Sequence, residues 1–412
     1  MQRIVVVGAG FAGLWAAIGA ARLRAEAGCV DGIEILVLTR TSEHVIRVRL
    51  YESDLSQARV PLADLLTPVG VRFRVGEVTT IDAVDRCVVF AATTGETEKI
   101  AFDRLVLAAG SALVRPALAA AQPFFDVDTF AGATHLDRHL ADLAARPPGL
   151  GRYTAVVVGG GFTGIEVATE LMGRLARLAR DAGADEPPRV ILIDRGAIGA
   201  TLGTLPRPTI RAALTALGIE CREEVEVDRV YDDSLVLAVP PRGSERIHCR
   251  TVVATAGMRA SRLTLNLSRD LDRFGRLPVD RWLRVVGHPA CFAAGDVARA
   301  LVDATHASVM SCQHARPQGR IVGHNVVADL LGRPLIEYRQ QDYVTVLDLG
   351  AGGALYMEGW ERRIVAEGAA AKRTKEEINH RRIYPPAGGD AALLLAAATP
   401  VIQPVPKLAG DA

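Results

Sequence analysis

Ile4-Val5-Val6-Val7-Gly8-Ala9-Gly10-Phe11-Ala12-Gly13 is the stretch that decides how the rest of the chain is read. Ile4 to Val7 is a short β-branched run and reads as a buried strand. It enters a GxGxxG turn, after which Leu14 to Glu26 reads as an Ala-rich helix and Ile33 to Leu38 as a second buried strand. Together these make a βαβ unit. Gly8 allows the tight turn, Gly10 removes a side chain where a pyrophosphate must touch backbone, and Gly13 lets helix and strand pack closely. The helix N-terminus, around Phe11 and Ala12, presents unpaired N–H groups and a positive dipole end to phosphates.

The same pattern returns after the break at Pro147-Pro148-Gly149. Ala155 to Val158 reads as a strand, Gly159-Gly160-Gly161-Phe162-Thr163-Gly164 as the glycine turn, Ile165 to Arg180 as the helix and Arg189 to Ile193 as the next strand. This internal repeat organises the chain. One glycine turn can serve plain close packing. Two, each between a strand and a helix, point to two nucleotides bound side by side, and the simplest pair is a flavin and a nicotinamide. The residue that ends the second strand of such a unit contacts the adenosine ribose. In the second copy it is Asp194, whose carboxylate favours NADH by repelling a 2′-phosphate, whereas Arg195 beside it keeps NADPH open. In the first copy it is Thr39, followed by Arg40, with no acid. Gly183 to Pro188 reads as a loop extension that lengthens the spacing to Asp194.

Between and after the repeats, Arg72 to Phe90 reads as short antiparallel strands. Leu105 to Ala108 is a buried strand ending at Ala109-Gly110, and Val252 to Ala254 ends in the echo Ala256-Gly257. A further strand ends at Phe292 to Asp296, Gln313 to Leu331 reads as helical, and Tyr343 to Leu349 starts a last strand region. The tail, Ala387 to Ala412, is rich in Ala, Pro and Gly and reads as partly disordered. The expected fold is α/β. It has two Rossmann-like domains and a small C-terminal segment: residues 1–125 with 262–345, residues 150–261, and residues 346–412.

Composition narrows the function. The chain has 412 residues, 49% of them hydrophobic and 23% charged, which suits a folded soluble protein of several domains. A net charge of +1 and 5% aromatics give no field or stacking platform for nucleic acid. The cysteines Cys29, Cys87, Cys221, Cys249, Cys291 and Cys312 form no CxxC pair, which argues against a zinc ribbon or iron–sulfur run; no metal is expected. Scattered single cysteines and an N-terminus that enters a strand directly suggest a reducing, cytoplasmic setting without a signal peptide. No run of about eighteen apolar residues exists to cross a membrane.

The order of motifs resembles the two-dinucleotide-binding-domain flavoproteins over about residues 1 to 345. They are GxGxxG, then Phe102-Asp103-Arg104-Leu105-Val106-Leu107-Ala108-Ala109-Gly110, then GGGxTGxE at Gly159 to Glu166, then Ala256-Gly257, then Phe292-Ala293-Ala294-Gly295-Asp296. Within that superfamily the chain is most similar to type II NADH dehydrogenases and to ferroptosis-suppressor and apoptosis-inducing-factor-like quinone reductases. The resemblance implies a glutathione-reductase-like fold with FAD on the first fingerprint and NADH on the second. It implies that Asp296 bonds the FAD ribityl or pyrophosphate region, and it puts Arg47, Val78 and Gly257 among the cofactor contacts. Cys312-Gln313-His314-Ala315-Arg316-Pro317-Gln318 resembles the A-Q-x-A-x-Q-Q segment at the quinone end of the flavin; Cys312 replaces the alanine and Pro317 the first glutamine of the pair. Thr39 to Ser56 holds no cysteine, which argues against disulfide reductase chemistry.

Three residues are catalytic candidates by this resemblance: Glu166 as a proton relay, with Gln313 and His314 at the acceptor end. Read alone, Glu166 is equally a helix-dipole carboxylate, and His306 and His314 are structural or surface histidines. Arg47 and Arg49 offset reduced-flavin charge or lie on a solvated strand face. Lys372, Arg373 and Lys375, then Arg381-Arg382, read as a solvated basic face, and Ala391 to Ala398 is too short to span a bilayer. Val344 to Gly350 with Ala369 to Ile378 resembles the soluble quinone-reductase branch, so a soluble or loosely membrane-peripheral enzyme is expected. A homodimer stays open. The reading is an FAD-dependent NAD(P)H dehydrogenase with a quinone-like acceptor. Reduction of a carrier protein, tailoring of a specialised metabolite and FAD/NADH redox sensing are the alternatives.

Overall fold

The computed structural model describes residues 1–114, 124–241 and 243–408. Among the described residues, seven strands form the first sheet, in the order Cys291–Ala293, Arg104–Leu107, Gln2–Val7, Ile33–Thr39, Arg72–Asp82, Cys87–Ala92, Thr97–Ala101. The pairings as far as Arg72–Asp82 are parallel and the last two are antiparallel. Val5 and Val7 enter the cluster on one face, with Phe90 and Leu105, while Ile4 and Val6 enter the other, with Leu14 and Phe292. A strand buried on both faces reads as an unbroken apolar run, which is why the opening signal was so clear.

The second sheet is all parallel, in the order Phe125–Asp126, Thr251–Ala254, Thr154–Val158, Arg189–Ile193, Glu220–Arg222. It takes in Phe125–Asp126 and the helix Phe130–Ala141, upstream of residue 150. In both sheets the strand order reverses at the strand that carries the glycine turn. That reversal is the topological switch point, where open α/β sheets bind ligands at the strands' carboxyl ends. The two Ala-Gly echoes meet in space, because Ser111–Leu113 pairs antiparallel with Met258–Ala260. A third, antiparallel sheet, Val344–Asp348, Ala354–Glu358 and Arg363–Glu367, carries the helix Gly368–Glu377.

The helices Phe11–Glu26 and Cys312–Leu330 cross at backbone distance. A Cβ on Gly319 would stand 2.4 Å from Ala12 O, and one on Gly323 2.3 Å from Ala16 O. Pro317 lies inside the second helix and brings no N–H for the carbonyl of Gln313; the Gln340 side chain donates to that carbonyl instead, at 3.3 Å.

The tail departs from the sequence expectation. Ala391–Ala397 is a helix, capped by Asp390, whose side chain accepts from Leu393 N at 3.1 Å. Leu394 is fully buried in the cluster that contains Leu14 and Trp15. Composition pointed to disorder, but an apolar stripe docked on the first helix offsets the ordering entropy; residues 409–412 lie outside the described residues. Leu394→Ala is expected to destabilise the protein by about 2–5 kcal/mol, read as a lower urea midpoint.

Candidate functional site

Both glycine turns have the geometry their spacing predicts. Gly8 has φ +102° and Gly159 φ +117°, conformations that L side chains rarely adopt. A Cβ on Gly13 would lie 1.9 Å from Gly8 O, and one on Gly164 1.7 Å from Gly159 O, so the third glycine of each turn answers to packing. The middle glycines differ. A Cβ on Gly10 would meet nothing within 4 Å, and one on Gly161 only Thr201 Oγ1 at 3.5 Å. Protein packing does not require glycine there, whereas a phosphate against the backbone does. Neither helix has a side-chain cap at its N-terminus, so the first amides stay available for an anion.

Asp194 ends its strand and is held by two backbone amides: Gly160 N donates to Oδ2 at 2.7 Å and Gly196 N to Oδ1 at 2.8 Å. Arg195 is exposed beside it, and Gly183 to Pro188 is the expected loop. In the first repeat Thr39 is buried at the strand end and Arg40 is exposed. Val78 is buried with Phe90, at a register shift between the two strands. Thr163 is exposed and Phe162 half-buried on the first turn of its helix.

Asp296 is tied to the first sheet's other loops. Ser111 Oγ donates to its Oδ2 at 2.6 Å, and Arg47 Nη1 lies 3.6 Å from the same oxygen. Arg47 also donates to Ser111 Oγ at 2.9 Å and pairs with Asp128. The strand expected at Arg47 and Arg49 is a 3₁₀ turn instead. Arg49 is not solvated but buried, bonded to Glu52 at 2.8 Å and to the Tyr384 hydroxyl at 2.6 Å. Gly110 and Gly257 have φ +66° and +81°, and Ala109 is half-buried before the first of them. Gly295 N donates to Gln318 Oε1 at 2.7 Å, which fixes the start of the Cys312 helix against the Gly-Asp turn. Gln313 Oε1 is buried without a partner. The open space at Gly10, the uncapped helix and this unpaired acceptor fit a bound FAD.

His314 is buried, with Nδ1 3.1 Å from Ser311 Oγ, and it packs near Tyr343 and Trp360. Burial lowers its pKa to about 4, so it is neutral at pH 7. His306 stacks flat on Trp360 at 4.4 Å and bonds Asp303 at 2.8 Å.

Glu166 has the most altered chemistry of the candidates. Its helix starts at Phe162, earlier than the sequence suggests, so Glu166 sits beyond the first turn and is no dipole carboxylate. It is 4% exposed, and Oε1 accepts from Lys375 Nζ at 2.7 Å and from Asp348 N at 3.1 Å. Burial pushes its pKa up to about 7, while Lys375 pulls against that rise. Asp348 accepts from Lys372 Nζ at 2.7 Å and from the Tyr51 hydroxyl at 3.0 Å. Burial and the neighbouring carboxylates raise the Tyr51 pKa well above the ordinary tyrosine value. Lys375 Nζ also stands over the Phe162 ring, 5.3 Å from its centre. Arg373 and Arg381 are exposed as the basic stretch suggests, but Lys372 and Lys375 are not on a solvated face, because the C-terminal sheet and its helix deliver them to two buried acids. A signal existed. Lysine occurs only at Lys99, Lys372, Lys375 and Lys407, and two of these fall within one helical turn of an arginine-rich chain.

Two sheets with parallel cores, each with an uncapped helix behind a glycine turn at its switch point, define a two-dinucleotide-binding oxidoreductase of the FAD/NAD(P) class. The family model for pyridine nucleotide-disulphide oxidoreductases matches residues 2–319, and the chain belongs to that family. An NADH dehydrogenase-like protein of Mycobacterium tuberculosis is 52% identical over 410 residues, covering 98% of this chain and 100% of its own. A demethylphylloquinone reductase of Synechocystis is 29% identical over 360 residues, covering 86% of each chain. NDH2 from Plasmodium falciparum, solved in complex with NADH, has the same fold, with a TM-score of 0.76 at 11% identity over 96% of this chain and 97% of that one. The chain is an NADH oxidoreductase with FAD and NADH as its cofactors. Among the described residues no helix is long and apolar enough to cross a membrane.

Proposed function

We propose that this enzyme passes electrons from NADH through FAD to a quinone-like small molecule, as a soluble or loosely membrane-peripheral protein. FAD is held by the first repeat, through Gly8, Gly10, Gly13 and Asp296, and NADH by the second, through Gly159, Gly161, Gly164 and Asp194. When bound, FAD would supply the redox chemistry, linking hydride donation by NADH to two-electron reduction of the acceptor. The chain's own residues supply positioning, charge and a proton.

The observation that carries the reading is the Glu166–Lys375 pair. NADH brings two electrons and one proton, and reducing a quinone to the quinol takes two protons, so each turnover draws one more from the protein or solvent. A buried carboxyl titrating at about 7 is matched to hold that proton at Glu166 Oε2, the oxygen not engaged by Lys375 and Asp348 N, and to release it near neutral pH. Lys375, from the C-terminal segment, steadies the carboxylate left behind. His314 serves as a neutral hydrogen-bonding wall and Gln313 offers its free Oε1 at the acceptor end.

The test is an anaerobic titration of the yellow protein with NADH or NADPH, followed by reoxidation with a soluble quinone. Fast bleaching by NADH and fast recovery with quinone are expected; a flavin that neither nucleotide bleaches sinks the proposal. Asp194→Ala is expected to lower kcat/KM for NADH by about 10–100-fold, the worth of a charge-assisted hydrogen bond. NADPH should lose less, because removing the carboxylate also removes its repulsion of the 2′-phosphate. Parallel steady-state assays with the two donors decide this.

A further inference from the structure

Arg316 and Arg320 are successive turns of the Cys312 helix, and both are buried, at 7% and 2% exposure. Both guanidinium groups lie over the Trp15 ring, 5.7 and 4.5 Å from its centre. Among the described residues neither has an ion-pair or hydrogen-bond partner. Nε of each is buried and unpaired, and so are Trp15 Nε1 and His44 Nε2. The charges acting on the pair make matters worse. Arg382 repels both, Arg316 repels Arg320 and His44, and the one group favouring the charge on Arg316 is the Cys312 thiol.

Burying one guanidinium without a counter-charge is strongly unfavourable, and burying two side by side more so. Burial, with repulsion from Arg382, lowers the pKa of Arg316 to about 10, and burial, with repulsion from Arg316 and Arg382, lowers that of Arg320 to about 9, so both remain cations at pH 7. Among the described residues no carboxylate answers either charge. Arg382 is half-buried in the C-terminal segment, gives one donor to Pro404 O and acts on both guanidinium groups from there.

We propose that Arg316 and Arg320, backed by Trp15 and flanked by Arg382, form a binding site for a phosphate-class oxyanion. Such a group presents several acceptor oxygens and at least one negative charge, which matches paired planar guanidinium donors. The site lies beside the first fingerprint turn, whose Ala9 O is 3.0 Å from His44 Nδ1, and shares no residue with the Glu166–Lys375 pair. Its ligand is either free phosphate, as the ion or a small monoester, or the headgroup of an anionic phospholipid.

Trp15 provides the readout. Tryptophan emission of the flavin-loaded protein is titrated with potassium phosphate and with potassium chloride at matched ionic strength. Flotation is run in parallel with phosphatidylcholine vesicles, with and without phosphatidylglycerol. A saturable, phosphate-specific change, absent from Trp15→Phe and weakened about tenfold or more in Arg320→Met, is the expected result for a free ion. Capture by the phosphatidylglycerol vesicles alone, lost in Arg320→Met, identifies the headgroup as the source. Methionine keeps the bulk against Trp15, and the wild-type comparison of phosphate with chloride does not depend on any variant folding. A wild-type protein indifferent to phosphate and to both vesicles overturns the site. So does phosphate or vesicle binding that Arg316→Met and Arg320→Met leave unchanged.

Discussion

Gly10→Ala is expected to yield a folded protein that purifies colourless. Its backbone, at φ −69° and ψ −168°, is extended and open to any residue, and the added Cβ meets no protein atom within 4 Å. Protein stability therefore gives the methyl nothing to disturb. A dinucleotide whose pyrophosphate rests on that backbone does meet it. Forcing a methyl into a packed contact costs about 1–3 kcal/mol, which is roughly 10–100-fold in flavin affinity. Gly13→Ala is the counterpart. Its Cβ would stand 1.9 Å from Gly8 O, so that variant is expected to lose the fold along with the flavin. The measurement is the flavin-to-protein absorbance ratio, beside a melting curve compared with flavin-stripped wild type, since bound ligand itself stabilises. A yellow Gly10→Ala protein with wild-type affinity would mean that the first turn serves packing alone.

Replacing Glu166 should abolish the pH limb near neutrality, whereas replacing Lys375 should move it. Burial lifts the Glu166 pKa to about 7, far above a free glutamate. The folded protein thus binds this proton more tightly than the unfolded chain does. The stability it contributes is complete below the unfolded pKa and is lost as pH rises through about 7. The same titration empties the proton store, so quinone reduction should decline over that window. Glu166→Gln removes the titrating group. It is expected to flatten this limb and to slow acceptor reduction by about 100-fold or more, while flavin reduction by NADH stays much closer to wild type. Lys375→Met removes the cation that lowers the carboxyl pKa, so the limb should shift to higher pH. Stopped-flow rates for the two half-reactions across pH separate these effects. A limb near pH 7 that survives in Glu166→Gln would show that the proton comes from elsewhere.

The two predictions are not equally legible in the sequence. The Gly10 argument was visible at once, because a β-branched strand, a GxGxxG turn and an Ala-rich helix are local patterns, and their repeat at Gly159 gives the fold away. The resemblance to type II NADH dehydrogenases picked out Glu166 but not its partner. Lys375 lies 209 residues further on, in a stretch whose composition reads as a solvated face.

What the sequence determined by itself was the pair of sheets, the two nucleotide turns and the absence of a redox cysteine pair. Each is written in neighbouring residues whose spacing sets backbone geometry and strand burial. Tertiary structure alone decided the rest. Folding the C-terminal sheet against the second repeat carries Lys375 to Glu166, and docking of Ala391–Ala397 on the first helix orders a tail that composition leaves loose. The same packing buries Arg316 and Arg320 against Trp15 without an acid. Desolvation and charge pairing depend on what surrounds a side chain in space, and no periodicity along the chain encodes which distant residue that will be.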